Sequence, residues 1–157
     1  MKWWPLYGLR KQLTEEKKYV SPVAVNQIHP DLFNRSLFVY TIDVGSSNAL
    51  NFEISALESP QYNMHRFGIY MTDSPRHADL LLVLGRPTKA MLPCLLETIS
   101  QLPNPFGIVT IDDSTEEFEM SDYPDLPNHI ADVKGLPNPS EILGLLLDLS
   151  KTKRKKP

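Results

Sequence analysis

Residues 36–57 read SLFVYTIDVGSSNALNFEISAL, which is a β-rich run, a loop of small polar residues and a helical stretch in direct succession. Residues 79–85 read DLLLVLG, a nearly unbroken apolar run. This composition is typical of a strand that is buried on both faces, because neither face meets water. The two stretches therefore predict a sheet with helices packed on both of its sides.

The rest of the chain continues the alternation of strands and helices. Further elements are predicted as strands at residues 67–71, 106–111 and 130–133, and as helices at about residues 91–102 and from Pro139 onward. The pattern predicts a three-layer α/β sandwich over residues 36–150, flavodoxin-like, around a mostly parallel sheet of four or five strands.

Two of these elements carry a more specific signal. Only residues 72–78 separate the strand at 67–71 from the next one, which is too short for a usual parallel crossover. That strand is therefore predicted to be short, at an edge, or antiparallel.

The last helix has a clear start signal. Asn138, Pro139 and Glu141 have the residue types preferred at the N-cap, first and third positions of a helix, and they predict where this helix begins.

The bulk properties limit the classes of function. The chain has 157 residues, enough for one ordinary domain, and its formal charge of −3 argues against a general nucleic-acid binder. The single cysteine, Cys94, excludes an intrachain disulfide and gives no sign of an oxidising compartment. The first residues lack the apolar region of a secretory signal, and no apolar run is long enough to span a bilayer. We therefore expect a cytoplasmic location.

Two segments flank the predicted domain. Residues 1–35 form an arm that mixes aromatic and charged residues, and its apolar stripe fits either packing on its own domain or contact with a partner or a membrane interface. Residues 151–157 form a basic tail, KTKRKKP, which suits either contact with anionic lipid headgroups or a solubilising role. The acidic residues 112–127 fit a solvated loop, a contact with a basic partner or a divalent cation, although they lack the spacing of a calcium loop.

Residues 42–91 resemble a known family: the small subunit shared by respiratory complex I and the membrane-bound group-four nickel–iron hydrogenases. The hydrogenase-type branch is the most similar. The resemblance includes the loop after the first strand, the helix that carries Glu53, Arg-Phe-Gly at residues 66–68 and Ser-Pro-Arg-His-Ala-Asp at residues 74–79. It continues through DLLLVLG, and more weakly through GIVTIDDS and KGLPNP.

Members of that family hold a four-iron cluster through four cysteines in loops at the carboxyl ends of the strands. At the corresponding positions this chain has Ser47, Leu50, Ser114 and Leu136. A four-iron cluster needs thiolate ligands, and Cys94 lies in a different element. The resemblance therefore implies the fold and the assembly, while the residues predict no cluster and no other cofactor.

The resemblance also implies roles for individual side chains. Glu53 is a candidate proton-relay acid, because the family's corresponding helix faces the catalytic partner; a solvated helix residue is the alternative. A second set of residues is predicted to contact a partner subunit rather than to do chemistry, and comprises Arg66, Arg76, His77 and Asp79. The four histidines show no metal-ligand spacing, so no metal site is predicted.

Together these inferences predict a structural or coupling subunit without a cluster, not an enzyme on its own, in a membrane-bound complex I-like or hydrogenase-like oxidoreductase. At the cytoplasmic side, it would dock a large-subunit homologue through residues 44–57 and 66–79 and meet the membrane-arm subunits through its N-terminal segment. Two alternatives stay open. The chain lines a quinone or substrate pocket of a still-active oxidoreductase, or it is a free-standing α/β module that binds a small anion at residues 46–48.

Overall fold

The computed structural model describes residues 19–22, 36–113 and 123–151. The elements in chain order are β1 (Leu37–Gly45), α1 (Asn48–Ala56), β2 (Ile69–Met71), β3 (Leu80–Gly85), α2 (Leu92–Gln101), β4 (Gly107–Asp112), β5 (His129–Lys134) and α3 (Pro139–Lys151). Short 3-10 turns at Met64–Phe67 and Pro75–His77 flank β2. Most of the predicted N-terminal arm, Ser114 and residues 152–157 of the basic tail lie outside the described residues.

The five described strands form one sheet in the order β2-β1-β3-β4-β5, and every neighbouring pair is parallel. Helices α1 and α3 cover one face, and α2 covers the other. The predicted three-layer α/β sandwich is therefore confirmed, with a sheet that is entirely parallel among these strands. All six residues of β3 are buried, which explains its unbroken apolar sequence. None of the helices in the described ranges is long and apolar enough to cross a bilayer.

Strand β2 is short and lies at an edge, as predicted, and it is parallel to β1. The short connection to β3 permits this because Met71 and Leu80 both lie opposite Val39 of β1. Residues 72–79 therefore only have to cross β1 at the level of Val39, and no long segment has to return along the length of β1. The usual long crossover is needed only when the first strand runs the full length of its neighbour.

Helix α3 begins with the capping arrangement that the sequence predicts. The Asn138 backbone N–H donates to Glu141 Oε2 at 2.9 Å, and the Glu141 N–H donates to Asn138 Oδ1 at 3.1 Å. Each side chain thus satisfies a backbone donor that the helix leaves free. One face of α3 is buried and comprises Ile142, Leu145, Leu146 and Leu149.

Residues 19–22 lie against α3. A Cβ atom at Gly144 would stand 2.6 Å from the carbonyl carbon of Val20, so only glycine lets the two backbones approach this closely. The Tyr19 ring meets the Phe67 ring edge-on, with the ring centroids 5.9 Å apart. This part of the predicted arm therefore packs on its own domain.

Candidate functional site

The loops at the carboxyl ends of β1, β3, β4 and β5 meet at one edge of the sheet, which we call the carboxyl edge. Ligands of open α/β sheets bind at this edge. Ser47 lies in the loop after β1, Leu50 lies in the first turn of α1, and Leu136 follows β5. Three of the four degenerate cluster positions are therefore placed here, while Ser114 lies outside the described residues.

Two glycines let the loop after β1 lie close to the end of β3. Gly45 and Gly85 are opposite each other, with φ angles of 152° and 74°. A side chain at Gly85 would collide with the backbone of Ser46, and one at Gly45 would collide with the Arg86 carbonyl oxygen. The turn is therefore held tightly against the sheet.

The Asp43 carboxylate fixes the conformation of this turn. It accepts the backbone N–H groups of Gly45 at 3.1 Å and Ser46 at 2.9 Å, and the Asn51 side-chain amide at 2.8 Å. Burial raises the pKa of Asp43, but the hydrogen bonds from Asn51, Ser46 and Gly45 together outweigh it, so the pKa lies below its usual 3.8. Asp43 is therefore ionised at neutral pH and ties the loop to α1.

The Asp113 carboxylate reaches across from the end of β4 to the start of α1. Its Oδ2 accepts the Ser47 backbone N–H at 3.0 Å and the Ser47 hydroxyl at 2.5 Å. Its Oδ1 is buried and has no hydrogen-bond partner among the residues described. A carboxylate at a helix N-terminus is favoured by the helix dipole. A small anion bound at residues 46–48 would have to compete with this internal carboxylate and with Asp43.

The side chains at the other degenerate positions do not fit an iron–sulfur cluster. Leu50 is fully buried on the inner face of α1, and Leu136 is 52% exposed, and both side chains are hydrocarbons. Cys94 is exposed in the first turn of α2, and as the single cysteine of the chain it cannot supply the thiolates of a four-iron cluster. None of the described loops of this edge offers a thiolate, which is the ligand that such a cluster requires.

Two further contacts join residues from different loops of the carboxyl edge. Arg86 Nε lies 2.6 Å from Asp112 Oδ2, and the Tyr123 hydroxyl donates to the Gly85 carbonyl oxygen at 2.8 Å. Burial, followed by the nearby carboxylate of Asp112, raises the pKa of Tyr123 far above its usual value of 10.0, so this hydroxyl stays a neutral donor. Asp113 and Tyr123 are the described residues on either side of residues 114–122. Their hydrogen bonds to Ser47 and Gly85 hold both of them at the carboxyl ends of β1 and β3.

The predicted partner-contacting residues lie at the other end of the sheet. Arg66 precedes β2, while Arg76, His77 and Asp79 precede β3, so all four stand at the amino end of the strands. Strand β1 has nine residues and is therefore about 26 Å long. The structure therefore places this set at the opposite end of β1 from the start of the stretch 44–57, although both stretches were predicted to dock the same large-subunit homologue.

Several of the predicted side chains have contacts within the domain. The Asp79 carboxylate accepts the Phe38 backbone N–H at 2.9 Å, and the Arg66 guanidinium lies 4.6 Å from the centroid of the Phe67 ring. Arg76 and His77 are exposed, and Glu53 is partly exposed on α1. No group of three or more acidic, histidine or cysteine side chains in the described ranges is arranged to hold a metal ion.

Sequence reasoning missed the polar residues that organise the edge, namely Asp43, Asn51 and Asp113. Asp43 and Asp113 stand at the ends of predicted strands, which was a usable signal for the carboxyl edge. Their partners depend on the strand order, which the sequence does not show. It also missed Phe52, a large apolar side chain that is 74% exposed on α1, five residues after Ser47.

Comparison with known proteins supports the resemblance recognised in the sequence. The chain is 44% identical over 71 residues to formate hydrogenlyase subunit 7 of Escherichia coli (strain K12), which is 45% of this chain and 28% of that protein. It is 39% identical over 77 residues to the probable membrane-bound hydrogenase subunit mbhJ of Pyrococcus furiosus, which is 49% of this chain and 46% of that protein. No family model matches the chain.

A third relative comes from the complex I side. The chain is 40% identical over 62 residues, 39% of its length, to an NADH-quinone oxidoreductase subunit of Herpetosiphon aurantiacus, of which the match covers 35%. The chain thus spans less than half the length of each of these three relatives. The resemblance to small subunits of hydrogenase and complex I type is confirmed over this matched part.

A solved structure shows the same fold. It is the membrane-bound sulfane sulfur reductase, an archaeal respiratory membrane complex, one chain of which superposes with a TM-score of 0.57 at 19% identity. The superposition covers 78% of this chain and 73% of that chain. The similarity therefore includes much of the sequence outside the matched part, at the level of fold.

Proposed function

We propose that this chain is a structural subunit, without an iron–sulfur cluster of its own, of a membrane-bound oxidoreductase assembly of the hydrogenase or complex I type. The names of its relatives support the assembly, since they are subunits of formate hydrogenlyase, membrane-bound hydrogenase and NADH-quinone oxidoreductase. The absence of cysteine from the degenerate positions supports the loss of the cluster. The subunit would dock a large-subunit homologue onto membrane-arm subunits at the cytoplasmic side.

The carboxyl edge is the surface that we assign to the large-subunit homologue. The observation that carries this assignment is Phe52, which is 74% exposed on α1, the helix that begins directly after the Ser47 loop. Leu136 adds a second exposed apolar side chain at the same edge. Aromatic side chains such as phenylalanine are enriched in the buried centre of protein–protein interfaces.

The internal hydrogen bonds of this edge support a structural role over a chemical one. Asp43 and Asp113 both accept hydrogen bonds from the loop after β1, so neither is directed at a substrate. The network holds the loop in one conformation, as a preformed docking surface requires. Catalysis and electron transfer in the assembly would then belong to other subunits.

Co-purification from native membranes tests the proposal. The tagged chain should bring down a large-subunit homologue in equal amount, and Phe52→Glu should remove most of it, since a charge would have to be buried at the contact. The matched control is Leu96→Glu, because Leu96 is 49% exposed on α2 and lies on the opposite face. Recovery of the unaltered chain as a stable monomer, or equal loss with both variants, would contradict the proposal.

A further inference from the structure

We infer that the first 18 residues of the N-terminal arm bind back onto their own domain, where their apolar side chains cover an aromatic ridge. The ridge consists of the stacked rings of His65, Tyr70 and Phe38. It lies at the amino end of β1, whereas the carboxyl edge lies at the other end of this strand. The contact therefore does not involve the surface assigned to the large-subunit homologue, and it does not depend on that assignment.

The ridge leaves aromatic surface in contact with water. Phe38 and Tyr70 are directly opposite each other on β1 and β2, with their ring centroids 5.7 Å apart, and the His65 ring stacks on Tyr70 at 5.3 Å. Phe38 is 41% exposed and Tyr70 is 36% exposed. Because the removal of apolar surface from water is favourable, an apolar segment that covers these rings lowers the free energy of the chain.

The ridge lies on the same side of the sheet as α2. Alternate residues of a strand face the same side. Tyr40 and Ile42 follow Phe38 at this spacing, and they pack in one cluster with Leu95 of α2. Helices α1 and α3 cover the opposite side. A segment that comes from α3 can therefore reach the ridge by passing β2, the last strand of the described sheet on this side.

Residue 19 brings the arm to the domain beside the ridge. The Tyr19 ring meets the Phe67 ring edge-on, with the centroids 5.9 Å apart. Phe67 and His65 belong to the same turn, Met64–Phe67, which comes shortly before β2. Tyr70 follows Phe67 by three positions, so the Cα atoms of these two residues are at most about 11 Å apart. The residues before Tyr19 therefore start within reach of the ridge.

The first 18 residues have the length and the side chains that covering the ridge requires. Six positions separate Leu13 from Tyr19, and an extended chain spans about 20 Å over that distance. Leu13 can therefore reach the three rings. So can the apolar residues before it, which are Trp3, Trp4, Leu6, Tyr7 and Leu9. Aromatic rings pack favourably on one another in offset and edge-on arrangements, which suits tryptophan and tyrosine to this surface.

The covalent connection favours this segment over a separate molecule. A segment that a short linker joins to the domain acts at an effective concentration on the order of millimolar. A second copy of the chain, or a partner protein of equal affinity, has to exceed that concentration to displace it. Even a weak contact is therefore populated when the segment belongs to the same chain.

Tryptophan fluorescence of the full chain tests the inference, because Trp3 and Trp4 are its only tryptophans. The folded chain should emit at shorter wavelength than a free peptide of the first 18 residues, since its indole rings contact apolar surface. Phe38→Ser combined with Tyr70→Ser should move the emission to the wavelength of the peptide. Leu96→Ser changes an exposed apolar residue of α2 outside the ridge and should leave the emission unchanged. Emission that responds to neither change, or equally to both, would overturn the inference.

The NMR signals of the rings give a second test, which leaves the ridge itself unaltered. Trp3→Ala combined with Trp4→Ala in the full chain should shift the ring proton signals of Phe38 and Tyr70, because an indole ring displaces the signals of protons that it contacts. The methyl signals of Leu96 should stay in place. Unchanged signals of Phe38 and Tyr70 would show that the tryptophans lie elsewhere, and the inference would be wrong.

Two further results would identify a different contact. Short-wavelength emission that appears only at high protein concentration would show that a second copy of the chain covers the ridge. Short-wavelength emission that appears only after phosphatidylglycerol vesicles are added would show that the tryptophans bind a lipid surface, which tryptophan also favours. Either result would overturn the inference, which predicts short-wavelength emission from the dilute chain without lipid.

Co-purification separates this inference from the proposed function. The variant with serine at both Phe38 and Tyr70 should still retain the large-subunit homologue. Phe52→Glu should lose the homologue and keep the short-wavelength tryptophan emission. The two proposals therefore fail separately.

Discussion

Asp113 joins two loops that lie 66 positions apart in the sequence. Its carboxylate accepts both the backbone N–H and the hydroxyl of Ser47, one of the positions at which the resemblance implies a cluster cysteine in the family. An aspartate directly after a buried strand can be expected at the carboxyl edge of a parallel sheet. Its pairing with Ser47 could not be predicted, because it requires β4 to lie two strands from β1.

Replacing Asp113 with alanine should lower the free energy of unfolding by about 1–3 kcal/mol, because two hydrogen-bond donors lose their acceptor. Denaturant unfolding measures this change. Glu58→Ala is the control, since Glu58 is exposed at the end of α1, and it should change stability by no more than about 0.5 kcal/mol. Equal effects of the two substitutions would show that the Asp113–Ser47 contact does not hold the loops together.

Asp79 provides a pH-dependent test at the amino end of the sheet. Burial raises its pKa above 3.8, and the hydrogen bond from the Phe38 N–H only partly offsets this. Because the folded pKa exceeds the unfolded one, the contribution of Asp79 to stability is present at low pH and is lost as the pH rises through the folded pKa.

Asp79→Asn removes the charge and keeps an oxygen that can accept the Phe38 N–H. The stability of this variant relative to the unaltered chain should therefore increase between about pH 3 and pH 7. Urea unfolding at both pH values measures the difference. A difference that stays constant or falls with pH would show that the ionised carboxylate of Asp79 is not penalised in the fold.

At the scale of elements, α3 was the most predictable and β2 the least. The start of α3 follows from local residue types, and the predicted cap is present in the structure. The position of β2 at an edge follows from the short connection after it. Its direction does not, because this depends on where along β1 it pairs, and that register is a long-range property.

Asn138→Ala tests the cap of α3. It should cost about 1 kcal/mol of stability, whereas Asn138→Ser, which retains an acceptor, should cost only a few tenths. Thermal unfolding of the two variants measures the difference. Serine and alanine variants of equal stability would show that the Asn138 side chain does not contribute as a cap.

At the scale of the whole molecule, the sheet separates two surfaces that the sequence analysis treated as one. One stretch of resemblance includes both the motifs at residues 66–68 and 74–79 and the segment at residues 46–50. The motifs nevertheless lie at the amino end of β1, and the segment lies at its carboxyl end. The fold could be predicted from alternating patterns and from the family resemblance. Which residues share a surface could not, because it depends on strand order and direction.

The proposed role rests on one chemical prediction, namely that the carboxyl edge, with its carboxylates and hydroxyls, holds no four-iron cluster. Iron and acid-labile sulfide analysis of the chain, expressed and isolated under anaerobic conditions, tests this most directly. We expect neither iron nor sulfide above the level of the buffer blank. About four iron and four sulfide per chain, the content of one such cluster, together with its low-temperature paramagnetic signal, would contradict the proposed role.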